Sequence, residues 1–237
     1  MTLAYDGSRF AGWQRQKNRR TVQAVLEEAL HKLSGSRVRV TGAGRTDSGV
    51  HAQGQVAHAA IRSTLPLKTL HRALNALLPE DIVIRSIQSA PAGFHSQYQA
   101  KAKTYRYTIW NRPTRPLFNR SQVLHIPQPL DVKAMRKAAR LLEGRRDFRA
   151  FCSSGRPVRS TVRTLHSLKV RTKQGTITIE AEADGFLYHM VRRIAGLLIE
   201  IGKGKGAPHI PPTAPAKGLC LMKVRYLSQH RRDRLDG

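Results

Sequence analysis

The stretch "GAGRTDSGVHAQGQVAHAA" at residues 42–60 sets one carboxylate, Asp47, two residues after Arg45 and one before Ser48, with glycines at 42, 44, 49 and 54. A cation close by favours the ionised form of a carboxylate, and an ionised carboxylate serves as a nucleophile or a general base. The flanking glycines let the chain turn sharply and let a substrate come close to the backbone. An Asp in a "TDSG" context also caps turns, so the loop by itself supports a chemical reading and a purely conformational one.

The elements that must position this loop follow from hydrophobic spacing. After a short apolar run at residues 2–5, Thr21 reads as the N-cap of a helix with apolar positions at Val22, Val25, Leu26, Ala29, Leu30 and Leu33, closed by Gly35. Alternation in "RVRVT" (37–41) and "GQVAHAAI" (54–61) predicts two strands flanking the loop, then a helix at 66–79 and a strand at 81–87. From residue 103 the order begins again: strand "TYRYTIW", helix "DVKAMRKAARLLEG", strand "TLHSLKVRT", a turn at Gln174 and Gly175, strand "TITIEAEA", helix 187–201 and strand "GLCLMKVRYL". "NRPTRPLFNR" (111–120) and "GKGKGAPHIPPTAPAKG" (202–218) read as irregular connections.

Two runs of strand, helix, strand, strand, helix, strand predict an α+β fold of two ferredoxin-like (split βαβ) subdomains side by side. They would share an extended antiparallel sheet, with helices on one face and a basic RNA-binding cleft. The boundaries expected are residues 1–100 for the subdomain carrying the loop, 101–229 for the second, and 230–237 for a basic tail.

Charge narrows the partner. The chain has 237 residues, 40% of them hydrophobic, enough for a core, yet Lys and Arg number 42 against 15 Asp and Glu, a formal net charge of +27. The cations are spread along the chain rather than gathered in one arm, which points to a nucleic acid lying across the folded surface. A generally basic proteome would account for part of the excess. His51 and His58 lack metal-site spacing and read as structural or as RNA contacts. Cys152 and Cys220 stand far apart with no ligand cluster, so neither a disulfide framework nor a zinc site is expected. With neither a leader pattern nor a membrane-length apolar segment, a cytoplasmic location away from membranes is expected.

The whole of "GRTDSGVHA" resembles the signature of the tRNA pseudouridine synthase A (TruA) family, whose commoner form has Ala where this chain has Ser48. "YDGSRFAGWQRQ" (5–16), "TVQAVLEEAL" (21–30), "FHSQYQAKAKTYRYTIWN" (94–111), "DGFLYHMVRRIAG" (184–196) and "APAKGLCLMKVRY" (214–226) resemble the same family in the same order. The resemblance implies a homodimer that isomerises uridines 38, 39 and 40 in the anticodon arm of tRNA. It implies that Asp47 is the nucleophile and that Arg45 contacts RNA around a flipped nucleotide. Tyr105 would stack on the target uracil and act in proton transfer, and Arg192 would be the basic partner of Asp47, reaching in from the second half. The reaction involves no net oxidation, so neither a redox cofactor nor a metal is implied. Two departures stand out. Met1 is followed almost at once by "TLAYDG", and the interval before "APAKGLCL" is crossed by only "KGKGAPHIPP" where the family has a further helical stretch.

Read without the resemblance, Tyr105 and Tyr107 share one face of a strand and fit ordinary core packing, and Arg192 fits a solvated helix face. A non-catalytic RNA-binding protein on the same scaffold is the competing function; it would gain nothing from a carboxylate facing phosphates. A nucleoside or glycoside hydrolase is disfavoured, since such enzymes use two carboxylates and the loop supplies one.

Overall fold

Thr21 precedes an apolar run at helical spacing, and in the computed structural model, which describes residues 1–154 and 158–227, its hydroxyl accepts the Ala24 N–H at the start of α1 (Val22–Ser34). One of the helix's unpaired first-turn donors is satisfied in this way. Gly35, at φ 64°, closes the helix in the left-handed conformation. Val22, Leu26, Ala29 and Leu30 form the buried face.

The chain divides into two compact units. The first holds residues 1–102 and the described residues from 222 onward; the second holds 103–221. In the first, β1 (Thr2–Tyr5) pairs antiparallel with β3 (His51–His58) on one side and β4 (Ile82–Ser86) on the other, while the two-residue β2 (Thr41–Gly42) pairs with β3. Helix α2 (Leu67–Leu77) packs on α1 and closes the outer edge of β4. The Asn75 amide there donates to the Ile84 carbonyl at 2.9 Å and accepts the Ile84 N–H at 2.8 Å. An exposed strand edge is blunted by side chains in this way.

In the second unit β5 (Ala102–Trp110) pairs antiparallel with β9 (Thr176–Ala183), β9 with β8 (Val162–Lys173), and β8 with β7 (Gly144–Asp147). Helix α3 (Val132–Leu142), capped by Asp131, packs on β8 and on α4 (Met190–Gly202). The last strand, β10 (Leu219–Arg225), starts in the second unit and ends in the first. The fold is α+β, with four α-helices among the described residues.

Three expectations need correction. Residues 37–40 are not strand, although Val38 and Val40 are buried as the alternation predicted. The Val40 backbone is satisfied from α1 instead: Glu27 Oε1 accepts its N–H at 3.1 Å and the Gln23 amide donates to its carbonyl at 2.9 Å. Helix α4 begins at Met190 rather than 187, because His189 takes a left-handed φ of 64°. That turn is held by Ser153, whose N–H bonds the Tyr188 carbonyl and whose hydroxyl meets His189 Nδ1 at 2.9 Å. The sheet is not wholly antiparallel either: β6 (Leu124–His125) runs parallel to β5, since the proline-rich 111–120 loop folds back and Asn111 donates to the carbonyls of Ile126 and Gln128. The tail expected at 230–237 lies outside the described residues.

Candidate active site

Asp47 sits in the loop between β2 and β3, where the carbonyls of Gly44, Thr46 and Asp47 each have a donor. Ala43 N–H bonds the Val56 carbonyl at 2.7 Å, anchoring the loop's start to β3. The fully buried Gln55 sends its amide to the Gly44 carbonyl at 2.8 Å. Trp13 N–H donates to the Thr46 carbonyl at 3.0 Å, and Val50 N–H closes a turn on the Asp47 carbonyl at 3.1 Å. The Ser48 hydroxyl and Gly49 N–H both donate to the Phe10 carbonyl, at 3.2 and 3.3 Å. The loop is therefore seated on residues 5–13, the "YDGSRFAGW" segment.

That seating needs a glycine at 12. Its φ is 92°, and a Cβ there would stand 2.7 Å from the Thr46 carbonyl oxygen. No other residue lets the two backbones approach so closely. Gly42 plays the complementary part, since a Cβ on it would meet the Trp13 indole at 2.5 Å. Within this frame Asp47 is half-buried, Thr46 buried and Arg45 exposed.

The histidines brace the surroundings. His51 is buried and its Nδ1 accepts the Gly7 N–H at 3.1 Å, with Asp6 Oδ1 3.2 Å from the same nitrogen. His58 Nδ1 accepts the Ser96 N–H at 3.2 Å. Burial lowers the pKa of His58, with His95 and the N-terminal ammonium acting in the same direction.

Tyr105 and Arg192 belong to the second unit. Tyr105 is 7% exposed, and its ring meets Phe186 edge-on at 5.2 Å. Tyr107 shares its face, is fully buried and donates to the Pro215 carbonyl at 2.8 Å. Burial pushes the Tyr107 phenol upward while the Arg192 guanidinium pulls it the other way. Arg106 points to the opposite face and pairs with Glu180 at 2.8 Å. Arg192 is half-buried rather than solvated: its Nε donates to the Ala214 carbonyl at 2.7 Å, and its own carbonyl accepts the Ala214 N–H at 3.1 Å. This pair, with the Tyr107 bond, ties down the Gly- and Pro-rich connection that precedes β10. Burial also lowers the pKa of the Lys103 ammonium near the start of β5, with Arg163 acting in the same direction.

Asp47 and Arg45 thus share one loop of the first unit, and Tyr105 and Arg192 are both held in the second. Sequence reasoning passed over Tyr5, Trp13, Thr46 and Gln55, the residues that seat the loop. Gln55 carried a usable signal, a polar side chain at an inward position of β3; Tyr5 and Thr46 carried none beyond their places in "YDGSRFAGWQRQ" and "GRTDSGVHA".

Comparison with known proteins bears on what this arrangement serves. A family model described as tRNA pseudouridine synthase matches residues 1–99 and 138–212. The curated tRNA pseudouridine synthase A of Ruminiclostridium cellulolyticum is 45% identical over 95% of this chain and 98% of its own. That of Moorella thermoacetica is likewise 45% identical, and that of Geobacillus kaustophilus 42%, covering 98% and 92% of their own lengths and 95% and 94% of this chain. Among solved structures, a chain of a Cbf5–Nop10–Gar1 complex is 11% identical with a TM-score of 0.36, over 94% of this chain and 57% of that one, a level too low to bear on the fold. Among the described residues no helix is long and apolar enough to cross a membrane.

Proposed function

The chain belongs to the tRNA pseudouridine synthase A family, and from that premise we propose that it modifies uridines 38, 39 and 40 of the anticodon arm with Asp47 as nucleophile. Membership makes it an isomerase that converts uridine in tRNA to pseudouridine. In that reaction the C1'–N1 bond breaks, C1' joins C5, and the C5 hydrogen leaves as a proton while N1 gains one. The Asp47 carboxylate adds to C6 of the base or to C1' of the ribose and is expelled again, so no oxidant or reductant is consumed.

The observation that carries the assignment is the fixed backbone around Asp47: the carbonyls of Gly44, Thr46 and Asp47 are all held by donors from outside the turn or across it. Preorganisation of this kind is what a nucleophile needs to meet its target in a near-attack geometry. The target base must leave its stack before reaction. Tyr105 is assigned to stacking on that base, Arg45 to the RNA around the flipped nucleotide, and Arg192 to the negative charge of Asp47.

Each unit is read as one split βαβ module. The strand orders β4-β1-β3-β2 and β10-β5-β9-β8 support this, since both place the first and third strands of the module at its centre. The active form is read as a cytoplasmic homodimer with a basic RNA-binding cleft.

Carbodiimide labelling and primer extension on an unmodified tRNA transcript tests the proposal. Wild type should give stops at uridines 38, 39 and 40, and Asp47→Asn should give none while still binding the tRNA. Stops in another arm would overturn the target assignment, and a modifying Asp47→Asn, checked for deamidation, would overturn the nucleophile. Binding with no modification by either protein would leave the non-catalytic RNA binder.

A further inference from the structure

We infer that Tyr5 is a positioning residue for the isomerisation, acting through Thr46 on Asp47; the inference rests on the reading of Asp47 as nucleophile. Tyr5 ends β1, the strand flanked by β3 and β4, and is 5% exposed. Its hydroxyl lies 2.8 Å from Thr46 Oγ1, a buried pair forty-one residues apart in sequence. A buried hydroxyl must find a partner, and this one finds the residue immediately before Asp47.

Thr46 is gripped at two points. Its side chain meets Tyr5, and its carbonyl takes the Trp13 N–H at 3.0 Å. The Tyr5 and Trp13 rings are themselves neighbours, 6.3 Å between centroids. A β-branched side chain has few χ1 states, so holding Oγ1 holds the rotamer and the backbone bearing it. The Asp47 Cα follows directly. The Tyr5–Thr46 bond thereby ties β1 to the backbone bearing the reacting carboxylate, beside the loop's ties to β3, and displacement of a reacting group by about 1 Å costs up to about a hundredfold in rate.

The bland reading makes Tyr5 a core aromatic whose hydroxyl merely needed a partner. It predicts a loss of stability with catalysis intact. The positioning reading predicts a loss in kcat with tRNA affinity intact.

Tyr5→Phe, Thr46→Val and Thr46→Ser are to be compared with wild type and Asp47→Ala under single-turnover conditions, with tRNA Kd measured separately. We expect Tyr5→Phe and Thr46→Val each to lower the single-turnover rate about tenfold to a hundredfold, with Kd within about twofold. Thr46→Ser, which keeps the hydroxyl, should recover most of the rate, and the Tyr5→Phe/Thr46→Val double variant should be no slower than the worse single one. A Tyr5→Phe rate within about threefold of wild type, a loss confined to Kd, or multiplicative losses in the double variant would each overturn the inference. Because Tyr5→Phe and Thr46→Val keep shape, they probe the hydroxyls and not the packing. An active Asp47→Ala would instead bring down the nucleophile reading itself, so the two failures are distinguishable.

Discussion

Tyr105 and Tyr107 stand two residues apart on one face of β5 and serve different ends. The Tyr107 hydroxyl is spent on the Pro215 carbonyl, deep in the core, whereas the Tyr105 ring stands edge-on to Phe186 with a small part of its surface open. Stacking depends on the ring and proton transfer on the hydroxyl. Tyr105→Phe is therefore expected to reduce turnover by about tenfold or more while leaving tRNA affinity within about twofold, the magnitude usual for a group that takes part in proton transfer. Parallel measurement of single-turnover rate and Kd checks this, and an unchanged turnover would reduce Tyr105 to a stacking platform. Asp47 stands out in the sequence as an acidic residue between glycines in a basic chain, but that position fits a turn cap as well, and its proposed role rests on the family signature around it. Its supports do not stand out, since Tyr5 looks like any aromatic ending a strand and Thr46 like any residue of a turn.

The legible elements were those whose signals are local. Helix α1 announces itself by apolar spacing, a Thr cap and a closing Gly, and all three hold. Strand β7 has no such signal: "GRRD" is exposed throughout, as charged edge strands are, and only its pairing with β8 makes it a strand. Residues 37–40 mislead in the opposite direction, because their alternation is real while their hydrogen-bond partners are the side chains of Gln23 and Glu27. Such a substitution is tertiary and cannot be read from a window of sequence. At the far end of β3, His58 predicts a pH dependence. Its folded pKa lies below the ordinary 6.5, chiefly through burial, so below pH 6.5 the unfolded chain takes the proton first. The stability contributed by neutral His58 is fully present above pH 6.5 and is lost as pH falls through the folded value. Melting curves at pH 7.5 and 5.5 should show a smaller acid loss for His58→Asn than for wild type; equal losses would contradict this origin.

For the molecule as a whole, charge and the repeated order of elements were both visible from composition and pattern. A net charge of +27 on 237 residues implies many phosphate contacts, each releasing a counterion when tRNA binds. The logarithm of the tRNA association constant should fall steeply with the logarithm of salt concentration, by about a thousandfold or more between 50 and 200 mM if roughly six phosphates or more are engaged. A shallow slope in filter-binding titrations would place the affinity in base contacts instead. Family membership fixes the reaction, and the central claim is that Asp47 carries it. The most direct measurement is tritium release from tRNA labelled at C5 of uridine, since isomerisation must expel that hydrogen. Wild type should release tritium in step with pseudouridine formed, and Asp47→Ala, folded and binding tRNA, should release none. Release by Asp47→Ala at a rate near that of wild type would contradict the account.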